Sequence, residues 1–227
     1  MNNMNSKPTN FKAGFSIFKT LILIIILYFA WNYYEENYKY KDTPKYVAEF
    51  KNALKEFTGQ KDTVKKAYKD AIQAQEEAKK VNYVFKNEKT KTFISKWKKA
   101  EKEVDTLREK YATYKDETEN FLDGLDDKLD EIKNDETLKS KMKKYSKDRA
   151  LKMAKNVVKM DENLDKLEVS ITKGNNLIIA LETVSLFNEL AQDIKDFDML
   201  LDSSSKIFTE IDTLIVEGTS VLDEELK

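Results

Sequence analysis

The sequence predicts an all-α protein in which one N-terminal transmembrane helix precedes an elongated antiparallel bundle of about four long, coiled-coil-like helices. Three observations carry that reading. Leu21 to Ala30 reads LILIIILYFA, a run without a charge in a chain of 227 residues of which 36% are charged. No proline follows Pro44. From there on, apolar residues recur at steps of three and four, the period of an amphipathic helix.

The apolar run by itself covers about 15 Å, half of the roughly 30 Å hydrocarbon core of a bilayer. Phe15, Ile17 and Phe18 extend it on one side and Trp31, Tyr33 and Tyr34 on the other, so residues 15–34 form the predicted span. Residues 1–14 are then a short tail and 35–43 a juxtamembrane linker. The side chains of Leu21 to Leu27 and Phe29 favour insertion by about 2.5 to 5 kcal/mol, and a central lysine would nearly cancel this at about 3 kcal/mol. Lys19 lies one turn from the end, where its ammonium reaches the headgroups. Trp31, Tyr33, Tyr34, Tyr38 and Tyr40 make an interfacial belt. A cleaved secretory signal is the main alternative, since Lys7, Lys12 and Lys19 precede a short apolar core. The bulky Tyr28 two residues before Ala30 does not suit the small-residue cleavage site. With three lysines before the span and three shortly after (Lys39, Lys41, Lys45), the charge asymmetry is slight. The short tail and the closeness of Lys19 favour an N-terminus inside and the body outside, in the cell membrane.

The body, 44–227, opens with Thr43-Pro44, an N-cap followed by proline at the first helical position. Val47, Phe50, Leu54 and Phe57 start the first seam, which runs to about Phe85, with Thr58-Gly59 a candidate bend. Phe93, Trp97, Ala100, Val104, Leu107, Tyr111, Tyr114, Thr118, Phe121, Leu125 and Ile132 form the second, with Lys128 its polar interruption. Leu138, Met142, Tyr145, Met153, Val157, Met160, Leu164, Leu167 and Ile171 form the third. Gly174-Asn175-Asn176 reads as the clearest turn, with glycine ending one helix, and Leu177 to Val216 as the fourth helix. The expected segments are 44–85, 90–133, 137–172 and 177–216. Similar lengths and short turns imply antiparallel neighbours. Residues 60–122 lack glycine and proline, so the first two helices could form one rod; Asn82, Asn87 and Lys89-Thr90 argue for a fold-back.

Composition removes several functions. The chain has no histidine and no cysteine, which excludes disulfides, thiolate and imidazole catalysis and the usual zinc ligand set. All 41 acids and 37 of the 40 bases follow residue 34, so the body is nearly neutral and not suited to nucleic acid. Asp123, Asp126, Asp127, Asp130 and Glu131 surround Gly124 without the alternation of a calcium loop. Asp193, Asp196, Asp198 and Asp202 read as a polar face, Asp198 and Asp202 being one turn apart. Ser203-Ser204-Ser205 reads as a loosened turn. No catalytic residue, cofactor or metal ligand is expected. The tyrosines and methionines of the seams (Tyr111, Tyr114, Tyr145, Met142, Met153, Met160) read as core fillers.

One charge pattern goes beyond solubility. Lys139, Lys141, Lys143, Lys144, Lys147, Arg149, Lys152 and Lys155 accompany a single acid, Asp148, within seventeen residues. From residue 161 onward sixteen acids face five bases, so the acidic fourth helix is expected to face the basic third. The basic run is the candidate for an anionic partner, either lipid headgroups or a wall polymer. These features together predict a non-catalytic, membrane-anchored helical scaffold or adaptor at a bacterial cell envelope, binding other envelope proteins and open to homo-oligomerisation. A cytoplasmic-facing, spectrin-like membrane organiser and a carboxylate-only hydrolase are the alternatives.

Overall fold

The computed structural model describes residues 44–133, 135–183 and 190–223. The tail, span and linker expected at 1–14, 15–34 and 35–43 lie outside them, and no helix among the described residues is long and apolar enough to cross a membrane. The described body is all-helical: α1 is Lys45–Lys79, α2 Glu88–Asp130, α3 Glu136–Thr183 and α4 Ala191–Asp223. At 1.5 Å per residue these are rods of about 50 to 70 Å.

The helices pack as an up-down-up-down bundle. Phe50 stacks on Phe121 at 5.0 Å and Phe57 on Tyr114 at 5.7 Å, while Tyr68 meets Trp97 at 5.7 Å; residue numbers rise on α1 as they fall on α2. The same inversion relates α2 to α3, where Tyr111 donates to the carbonyl of Val157 at 2.9 Å and Trp97 Nε1 donates to Asn175 Oδ1 at 3.1 Å. It relates α1 to α4 through Lys65 and Asp212 at 3.1 Å and Lys79 and Asp198 at 2.9 Å. Tyr68 also meets Phe208 edge-on at 5.5 Å.

The fold-back between α1 and α2 has a definite local cause. Asn82 takes φ 53° just past the end of α1, the left-handed conformation that asparagine tolerates. The N–H of Tyr83 donates to Ala78 O at 3.0 Å and that of Asn82 to Lys79 O at 2.9 Å, the paired bonds of a Schellman end. Asn87 then caps α2, its side chain accepting from Lys89 N at 2.9 Å. Helix α1 accordingly ends at Lys79, before the expected Phe85. Gly59 lies within continuous helix. At the next connection Asp135 caps α3, its carboxylate accepting from Leu138 N at 2.8 Å.

The third turn is misplaced in the sequence reading. Helix α3 runs without interruption through Gly174-Asn175-Asn176 to Thr183, and Ile178 and Leu181, assigned to the fourth helix, are buried at its C-terminal end. Gly174 is there for space: a Cβ on it would lie 2.2 Å from the Trp97 ring. Its pattern resembles a helix stop because close approach and chain reversal both call for a residue without a side chain. Gly124 serves likewise, a Cβ there falling 2.5 Å from the Tyr46 ring.

Other seam positions are corrected by their neighbours. Lys128 is exposed and Leu129 holds the buried place beside it. Tyr111, Tyr114, Met153 and Met160 are core residues, but Leu138, Met142 and Tyr145 are 46%, 39% and 41% exposed. They lie opposite α2 residues past Gly124, the level at which α1 begins, and among the described residues only α2 reaches that level. Val157 is only half-buried, and Asn156 takes the core position beside it. Ser203-Ser204-Ser205 is regular helix, with Ser204 buried and donating to Leu201 O at 2.6 Å.

Gly174→Ala is expected to lower stability by about 1 to 3 kcal/mol through overpacking against Trp97. Gly59→Ala, where a Cβ meets nothing within 4 Å, should raise stability by up to about 1 kcal/mol. Urea unfolding followed by circular dichroism measures both; a Gly174→Ala shift as favourable as that of Gly59→Ala would contradict the packing of α3 on Trp97.

Candidate functional site

The basic run Lys139 to Lys155 occupies the first third of α3, and the helix divides it. Lys139 and Lys143 turn toward α2, at 3.2 and 3.8 Å from Asp130. Ser146 beside them is buried and donates to Asp126 at 3.0 Å. Arg149 faces inward: it is 3% exposed, its guanidinium lies 4.0 Å from the centre of the Tyr145 ring, and it donates to the Tyr145 hydroxyl. The expected anionic-partner surface therefore does not include Arg149. Lys141, Lys144, Lys147, Lys152 and Lys155 are all exposed, and recur along the outer side of the helix.

Helix α4 packs against α3, with Glu210 3.8 Å from Lys166, but none of its described acids pairs with a lysine of the basic run. Asp126 and Asp130, two of the five acids around Gly124, face it from α2. Two acids of α4 serve α1. Asp212 is shared by Lys61 and Lys65, and Asp198 accepts from Gln75 at 2.6 Å and pairs with Lys79. That occupies one member of the Asp198 and Asp202 pair. Among the described residues no group of three or more acids is placed to hold a metal ion.

Lys61 was not singled out by its sequence context, and it is the most buried lysine described, at 5% exposure. Its ammonium pairs with Asp212 and, at 2.7 Å, with Asp62. Burial acts to lower the Lys61 pKa, but the bonds from Asp212 and Asp62 outweigh it and hold the group above the ordinary lysine value. Burial acts to raise Asp212, and Lys61 and Lys65 outweigh it, holding the carboxyl below its ordinary value. Interior hydroxyls are used structurally. Tyr68 donates to the carbonyl of Leu167 at 3.2 Å and burial pushes its pKa up, so it remains protonated.

A cleft between the end of α1 and the start of α2 is lined by Asp70, Ala74, Glu77, Glu88, Lys89 and Lys96. Its charges answer one another. Lys89 lies 2.8 Å from Glu77 and Lys96 3.8 Å from Asp70. The hydrogen bonds from Lys80 and Lys89 draw the Glu77 carboxyl down to about 2. That is the opposite of the raised value a general acid requires. No protein-family model, curated protein or solved structure matches the chain.

The Lys61–Asp212 contact predicts a pH dependence with a definite sign. Asp212 is ionised more readily in the folded chain, so its contribution is present above the ordinary carboxylate pKa and is lost as pH falls through its lowered value. Asp212 is over one-third exposed, so Asp212→Asn should cost about 1 kcal/mol at neutral pH. The difference from the natural chain should shrink in acid. Denaturation series at neutral and acidic pH check this, and a difference that grew on acidification would reverse the sign.

Proposed function

We propose that this chain is a non-catalytic, single-pass membrane scaffold whose helical body binds acidic partners at the cell envelope. The observation that carries the binding part is the outward row of Lys141, Lys144, Lys147, Lys152 and Lys155, for which no ion pair is found among the described residues. Its natural complement is an acidic surface, whether of an envelope protein, anionic lipid or a wall polymer. The tether rests on residues 15–34, whose length and apolar character match a bilayer span and whose flanks carry Lys19 and an aromatic belt. The body then lies on the outer side of the membrane, with the N-terminus inside. Binding rather than catalysis is supported by the disposition of the polar interior, where tyrosine hydroxyls, asparagines and Lys61 join one helix to another.

Fractionation tests the tether. The full chain should remain in the membrane pellet through an alkaline wash, and the same chain lacking residues 15–34 should be released. Protease added to intact cells should then degrade the body of the full chain. Release of the full chain by the wash would sink the anchor; a body protected until the cells are opened would place it in the cytoplasm instead.

A further inference from the structure

We draw no further inference here: the strongest candidate, the exposed apolar stripe of Leu138, Met142 and Tyr145 on the end of the α2–α3 hairpin that extends past the start of α1, is an unpartnered helix face, and nothing in the structure shows what covers it.

Discussion

The contact of Trp97 with Gly174 is the constraint on which the rest of the bundle depends. Trp97 is fully buried where all four helices meet. Tyr68 of α1 reaches its ring at 5.7 Å and Phe197 of α4 at 4.8 Å, and Asn175 of α3 accepts its indole N–H. An indole at that point needs the α3 backbone close enough to leave no room for a Cβ, and Gly174 provides this. Asn175 in turn donates to Glu101 at 2.6 Å, so the polar edge of the tryptophan is tied back to its own helix. Longitudinal register between α2 and α3 is set here, and with it the heights of everything farther along.

Away from that node the interior is divided by residue type. Toward the start of α1 the α1–α2 contact is aromatic, with Phe50, Phe57, Tyr114 and Phe121 within stacking distance. Beyond it, Ala67, Ala71, Ala74 and Ala78 are buried on α1, and small side chains allow its second half to sit close to its neighbours. Buried polar groups are concentrated on α3, in Ser146, Arg149, Asn156, Asn163 and Ser170. Such groups are costly unless bonded, and those bonded to another helix, as Ser146 is to Asp126 and Asn156 to the carbonyl of Leu214, permit fewer alternative registers than an apolar seam that could slide by a turn. Lys61 and Asp212 perform that service between α1 and α4.

Charge is sorted by the same geometry. Acids and bases on the flanks of adjacent helices meet and are consumed in pairs, as with Asp130 and Lys139 or Asp198 and Lys79. Those on outward faces have no such neighbour. The outward lysines of α3 are thus among the charges left over after the described part of the bundle has satisfied itself.

Periodicity alone determined that the body is helical and which residues line α2 almost from end to end, because a step of three or four marks the buried face whatever lies against it. The fold-back was legible in Asn82 and Asn87 because an asparagine at a helix end acts locally. The site was legible in part: the lysines of 139–155 are identifiable as a run, but a run cannot show that Arg149 faces inward or that Lys139 and Lys143 meet Asp130. Gly174 misled because what it accommodates is Trp97, 77 residues away in the chain. Lys61 and Asn156 went unread because a polar residue in a seam is stabilised only by a partner on another helix. Local sequence determined where each helix had an apolar side. Only tertiary packing decided which residues on that side were covered and which charges were left facing out, since both depend on how far the neighbouring helix reaches.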